Sequence, residues 1–241
     1  MNKDLLVYID NMNKPWSQLY YRLVWEQLPD IKNAKILDFG SGLGITADHL
    51  AKDNDVTAIE PNPDMVEIRT RENRYTQIVG GIAQMRELEE KSFDMVLCHN
   101  VLEYAGERQE IVRELCRILK PNGLLSLIKH NHTGRIMSKA ILENNLDEVI
   151  SLLNGEAVNA AYFGQIGYYH IDDISNWLCD LDISIVKVLG IRALMCLHPD
   201  NETRYDPDWQ DNMFDIEMRV SGIDAFRNIA FYHHIILKKN K

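Results

Sequence analysis

Lys35-Ile36-Leu37-Asp38-Phe39-Gly40-Ser41-Gly42-Leu43-Gly44 decides the fold: a short apolar strand runs straight into a loop with glycine at alternate positions. Lys35–Phe39 reads as the strand, and Ile45–Lys52 as the helix that leaves the loop. Glycine tolerates backbone conformations closed to other residues, and without Cβ it lets a ligand lie against the main chain. In an open parallel sheet the ligand crevice lies at the carboxyl ends of the strands, and this loop leaves such an end.

Downstream the alternation continues. Asp55–Ile59 reads as a second strand, and Pro63–Glu72 as a helix capped by Asn62 with proline in its first turn. Gln77–Val79 is a short third strand, and Phe93–Cys98 a fourth whose unbroken apolar run suits burial on both faces. Arg108–Leu119 carries Ile111, Val112, Leu115, Ile118 and Leu119 at helical spacing and ends at Pro121 and Gly123. Leu124–Ile128 closes the series as a fifth strand, so an α/β class with a mostly parallel sheet follows.

Outside this block the rhythm loosens. Upstream, Trp16–Leu28 reads as an amphipathic helix. Lys129–Gly167 reads as helices with polar connectors and no clear strand, Asp172–Leu181 as a helix, and Ile183–Leu189 as a strand. Leu197–Arg227 is irregular, acidic and aromatic, and Ala230–Leu237 is a final strand. The expected architecture is a Rossmann-like, seven-stranded, mostly parallel sheet with helices on both faces and a helical cap inserted between the last strands. Residues 1–241 then form a single domain, with an N-terminal helical segment to 34, a cofactor-binding core over 35–128 and a substrate-side half from 129.

Composition narrows the functions. The 26 Lys and Arg against 36 Asp and Glu leave a net charge of −10, which is unlike a general nucleic-acid binder. Met1–Lys14 lacks the cationic start and long apolar stretch of a secretion signal, and no apolar run approaches the ~20 residues of a membrane span. Cys98, Cys116, Cys179 and Cys196 are far apart in apolar stretches, as expected of reduced core residues in a cytoplasmic protein. His130 and His132 lack a nearby carboxylate or cysteine ligand, so no metal is expected.

The second strand ends in Glu60, placed to accept hydrogen bonds from both hydroxyls of a ribose. Nicotinamide dinucleotide sites share that layout but require glycine where this chain has Ile45, and no Walker lysine is present. Asp38-x-Gly40-x-Gly42-x-Gly44, Glu60, Phe93-Asp94-x-Val96, Val101-Leu102-Glu103 and Leu119-Lys120-Pro121-Asn122-Gly123 together resemble the class I S-adenosylmethionine-dependent methyltransferases over roughly residues 35–128. The resemblance implies S-adenosylmethionine as cofactor: Asp38, Gly40, Gly42 and Gly44 on the methionine moiety, Glu60 with Pro61 at the ribose, the backbone of Ala83 and Gln84 at the adenine, and His99 beside the cofactor. Many members place an Asp before that alanine, where this chain has Gly81-Ile82.

Shorter matches extend further. Gln18-Leu19 with Trp25, Ala83-Gln84, His99 with Val101–Tyr104, Asn131-x-x-Gly134, Gly190-x-Arg192, Glu217-x-Arg219 and Tyr232-x-His234 resemble the bacterial tRNA methyltransferases that esterify 5-carboxymethoxyuridine at the wobble position. His99 and Asn100, at the end of the fourth strand, are the candidate catalytic residues. Lys129, Asn131, Arg135, Arg192, Arg219 and Tyr232 are the candidate substrate-binding residues. Lys129, Arg135 and Lys139 lie in a segment without acids that could clamp an anion. Tyr162, Phe163, Tyr168 and Tyr169 are candidates to stack on a base, or to pack a cap, and Arg69, Arg71 and Arg74 on and after the second helix read as a solvated face.

Three functions stay open: O-methylation of a carboxylate on the tRNA wobble uridine, methylation of a small acidic or phenolic metabolite, and non-catalytic cofactor binding. The implied partner is tRNA or a small anionic substrate.

Overall fold

The computed structural model describes residues 3–156, 158–160, 164–198, 200 and 202–240. In chain order the elements are α1 (Lys3–Met12), α2 (Pro15–Gln27), β1 (Lys35–Phe39), α3 (Ile45–Leu50), β2 (Asp55–Glu60), α4 (Pro63–Glu67), β3 (Thr76–Val79), α5 (Ile82–Arg86), β4 (Phe93–His99), α6 (Arg108–Ile118), β5 (Leu119–His130), α7 (His132–Ile141), α8 (Leu146–Leu153), β6 (Val158–Ala160), β7 (Gly164–Ile166), α9 (Ile171–Trp177), β8 (Ile183–Ile191), α10 (Pro207–Val220), α11 (Asp224–Ile229) and β9 (Tyr232–Lys239).

Seven strands form one sheet in the order β3-β2-β1-β4-β5-β9-β8. The pairs β1–β2, β1–β4, β2–β3 and β4–β5 are parallel, as expected where each connection passes through a helix. The chain order reverses between β1 and β4, which puts the loops after Phe39 and His99 at the switch point of the sheet, where open α/β folds bind ligands. Ile36, Leu37, Ala58, Ile59, Met95, Val96, Leu97, Leu125 and Leu127 are buried. Successive strand residues point to opposite faces, so consecutive buried residues mean that both faces of the centre are covered. The α6 stripe Ile111, Val112, Leu115, Cys116 and Ile118 is buried as its spacing requires.

The chain falls into two compact units. One comprises 29–128, 169–187 and 235–241 and holds the glycine loop and most of the sheet. The other comprises 1–28, 129–168 and 188–234. Within the latter, the Gln27 amide donates to Gly190 O at 3.0 Å and its Oε1 lies 3.0 Å from His234 Nδ1, tying α2 to the ends of β8 and β9. α7 packs hard against the approach to β9: a Cβ on Gly134 would stand 2.1 Å from Ala230 O.

Four elements depart from the sequence reading. Leu197–Arg227 is largely helical, because Asp206 caps α10 by accepting from Asp208 N–H, and Pro207 occupies its first turn. The helix starting at Pro63 stops at Glu67 rather than Glu72, so Arg69, Arg71 and Arg74 lie in loops. β5 starts at Leu119 and passes through Pro121-Asn122-Gly123 with Asn122 at φ 64° and a register shift opposite Phe93 and Met95, the mark of a bulge. The segment after Ile128 contains the antiparallel pair β6–β7. Tyr162 and Phe163 lie outside the described residues.

Candidate functional site

The glycine loop uses the freedom its composition offers. Gly40, Gly42 and Gly44 have φ of 77°, 54° and 70°, the left-handed region that other residues seldom occupy. At Gly40 sterics add a second reason, since a Cβ there would lie 2.3 Å from Val101 Cγ2. Gly40 N–H and Ser41 N–H donate to Ile59 O at 2.8 and 3.1 Å, lacing the loop to the end of β2.

Two carboxyl groups flank this loop. Asp38, on β1, is 3 % exposed; burial, with the Glu60 charge added, pushes its carboxyl up to about 7 against the lowering effect of Ala47 N–H. Glu60, at the end of β2, accepts Gly42 N–H at 2.8 Å through Oε2 and Asn62 N–H at 2.9 Å through Oε1. Burial raises its pKa while these two N–H groups lower it. Each oxygen keeps a lone pair for a further donor.

β4 and β5 supply the next groups. His99 Nε2 lies 2.8 Å from Ser126 Oγ on the neighbouring strand, and burial lowers the imidazole to about 3, so the ring is neutral at physiological pH. Asn100 follows in the left-handed region at φ 55°, its N–H bonded to Ile128 O at 2.8 Å. Beyond β3, Gln84 Oε1 accepts Gly81 N–H at 2.9 Å, which closes the turn into α5. Pro61 and Ala83 are exposed. Ser126 escaped the sequence reading, although a lone serine in the apolar run Leu124–Ile128 is a signal.

The expected cation clamp after β5 is largely neutralised from within. Lys129 is 3 % exposed and its Nζ donates to His130 O at 2.8 Å. Asn131 Nδ2 donates to Asn228 O and Ala230 O, both at 2.8 Å. Glu148 sits 3.6 Å from Arg135 and 2.7 Å from Lys139, and Glu143 adds a second carboxylate to Lys139. The segment has no acid of its own, but α8 and the turn before it bring two acids to it. Arg219 is exposed in the last turn of α10 and, among the described residues, makes no ion pair.

Arg192 and Tyr232 come together. The Arg192 guanidinium lies 5.3 Å from the Phe231 ring centre and 6.0 Å from that of Tyr232. Its backbone is in the left-handed region at φ 62°. Glu217, 1 % exposed, fixes the turn that follows by accepting the N–H groups of Ala193, Leu194 and Met195 at 2.8–2.9 Å. The sequence singled out Glu217 only by its neighbour Arg219; its buried triple acceptance needs the fold. Tyr168 packs against His132, and Tyr169 against Trp177, ring centres 4.8 and 5.4 Å apart. Among the described residues no cluster of three or more His, Cys, Asp or Glu could hold a metal ion, and no helix is long and apolar enough to cross a membrane.

Comparison with known proteins agrees with this geometry. Residues 37–127 match the methyltransferase domain family. A thiol S-methyltransferase of Mus musculus is 31 % identical over 120 residues, 45 % of this chain and 49 % of that protein. A ubiquinone biosynthesis O-methyltransferase of Xanthomonas oryzae is 25 % identical over 177 residues, 67 % of each chain. The chain thus spans about half the length of the first relative and two thirds of the second. Among solved structures, an S-adenosylmethionine-dependent methyltransferase from Listeria monocytogenes superposes with a TM-score of 0.64 at 15 % identity, over 93 % of this chain and 98 % of that one. Sheet order, glycine loop and family match converge: residues 37–127 form a methyltransferase domain on the Rossmann-like sheet of the S-adenosylmethionine-dependent methyltransferases.

Proposed function

We propose that the protein methylates an oxygen of an acceptor that arrives already ionised, a carboxylate being the chief case. The residues around the glycine loop fit an adenosyl cofactor. The left-handed glycines present backbone without side chains, as the Gly40–Val101 approach requires. Glu60 is held by Gly42 and Asn62 with lone pairs left for ribose hydroxyls, and Asp38 stands buried at the start of the loop. Held by these residues, S-adenosylmethionine would supply an electrophilic methyl group for the acceptor oxygen.

The observation that carries the acceptor class is the state of His99. A phenol, thiol or alcohol must lose a proton on methylation, and an efficient general base has a pKa near the working pH. His99 sits far below that range, at about 3, so it serves as a neutral hydrogen-bonding group. A carboxylate carries its charge into the site and needs no base. Asn100, held in its strained conformation beside His99, is the second polar group at this strand end.

The shorter motif matches favour 5-carboxymethoxyuridine at the tRNA wobble position as the bearer of that carboxylate. The charge of −10 favours a small acidic or phenolic metabolite over a nucleic acid, and the relatives, named for thiol S-methylation and for O-methylation in ubiquinone biosynthesis, name no tRNA. Titration of the purified protein with S-adenosylmethionine and S-adenosylhomocysteine, with NADH as control, tests the cofactor site. Mass spectrometry of undermodified tRNA and of an aromatic-acid and phenol panel after incubation with S-adenosylmethionine then tests the acceptor. Ester formation supports the proposal; methylation confined to thiols or neutral phenols overturns it, and cofactor binding without transfer to any acceptor identifies a binding protein.

A further inference from the structure

We propose that Tyr20, His130, Tyr232 and Arg192 form a subsite for a planar ring carrying an acid, the acceptor's own ring if the methyltransferase reading above holds. These residues come from α2, the end of β5, the start of β9 and the end of β8, all within one compact unit. The Tyr232 ring is their hub: its centre lies 5.1 Å from that of Tyr20 and 4.9 Å from that of His130, at tilts of 56° and 53°. Phe231 backs the group at 4.8 Å from Tyr232 and is buried, whereas Tyr20, His130, Tyr232 and Arg192 are each half-exposed.

Three features separate this wall from ordinary aromatic packing. First, these residues keep part of their surface accessible, and aromatic side chains beside a guanidinium suit a planar ligand. Second, Arg192 is held in a left-handed backbone conformation at φ 62°, which is strained for a non-glycine residue and concentrates at ligand clamps. The Glu217 grip on Ala193–Met195 and the Phe231 N–H bond to Arg192 O, 3.2 Å, keep it there. Third, no carboxylate of the described residues lies within ion-pair distance of Arg192, in contrast to Arg135 and Lys139; its side-chain partner is the Cys196 thiol, with the Glu217 charge further off, so a ligand's acid would be its first ion pair. His130 adds a neutral ring, lowered to about 3 by burial and by Arg135, Lys129 and Arg192 around it. A cationic wall of this kind pairs a flat face with one anionic substituent. A free aromatic acid and a carboxylated nucleobase share that chemistry.

The probe is 4-hydroxybenzoate, with cyclohexanecarboxylate as a ligand of equal charge and no planar face. Binding is followed by chemical-shift perturbation, and S-adenosylhomocysteine affinity is measured on every variant. The aromatic acid should bind at least tenfold more tightly than its saturated counterpart. Tyr232→Leu and Tyr20→Leu should erase that ratio while Tyr232→Phe and Tyr20→Phe keep it, and Arg192→Gln should weaken both acids tenfold or more. Equal binding of the two acids, or ratios unchanged in the leucine variants, overturns the subsite. Retained S-adenosylhomocysteine binding in those variants shows that the fold and the cofactor reading survive; its absence in the unmodified protein would defeat the methyltransferase reading separately. Tighter binding of uridine-5-oxyacetic acid than of 4-hydroxybenzoate supports the subsite with a nucleobase as source, and the reverse supports it with a free acid.

Discussion

Asp38→Asn should stabilise the folded protein increasingly as pH rises, while weakening its hold on cofactor. Burial and the Glu60 charge push the carboxyl from its ordinary 3.8 up to about 7 in the folded chain. A gap of about three pKa units at 1.36 kcal/mol each corresponds to roughly 4 kcal/mol. Its sign follows from proton counting. Below pH ~4 both states hold the proton and the residue contributes nothing pH-dependent. Between about 4 and 7 the unfolded chain has lost the proton and the folded chain keeps it, so stability falls as pH rises; above 7 the full penalty of a buried charge is present. Because the Glu60 charge contributes to the shift, the step belongs to the pair. Asparagine has nearly the same shape and no charge. Urea unfolding of both proteins from pH 4.5 to 8.5 should therefore give a difference that grows across the range toward a few kcal/mol in favour of the variant. Titration with S-adenosylhomocysteine at pH 7.5 should show a loss of at least tenfold in the variant. A stability difference that stays flat with pH would refute the argument that burial keeps Asp38 protonated.

Other substitutions probe separate features. Gly40→Ala forces a Cβ to 2.3 Å from Val101 at φ 77° and should abolish cofactor binding measured calorimetrically, with partial recovery in the Gly40→Ala, Val101→Ala double variant. Glu217→Ala leaves the N–H groups of Ala193, Leu194 and Met195 without their buried acceptor and should cost on the order of 3–5 kcal/mol in chemical unfolding. His99, lowered to about 3, should stay neutral between pH 5 and 8, read as an imidazole NMR chemical shift that does not move across that range. It also favours folding above its unfolded pKa near 6.5, and that contribution disappears as pH falls toward 3.

The strands and the glycine loop of the sheet's centre were legible in the sequence. Lys35–Gly44, the acid at Glu60 and the apolar runs Phe93–Cys98 and Leu124–Ile128 report local requirements: a glycine needs no neighbour to allow a left-handed backbone, and a strand buried on both faces must be apolar throughout. Ser126 was within reach of the same reasoning, as a hydroxyl in an otherwise apolar strand. The residues proposed for the acceptor side answer to no local rule. Lys129, Arg135 and Lys139 form a basic segment in the sequence, yet Glu143 and Glu148 neutralise much of it once α7 and α8 pack side by side. Glu217 reads as one more acid in an acidic stretch until three N–H groups from β8's end converge on it. Tyr20, His130, Arg192 and Tyr232 stand up to 212 residues apart in the chain and become a surface only when four elements meet. Charge and aromaticity are properties of residues, but whether a charge is paired or a ring exposed depends on its neighbours in space, and tertiary packing alone chooses those.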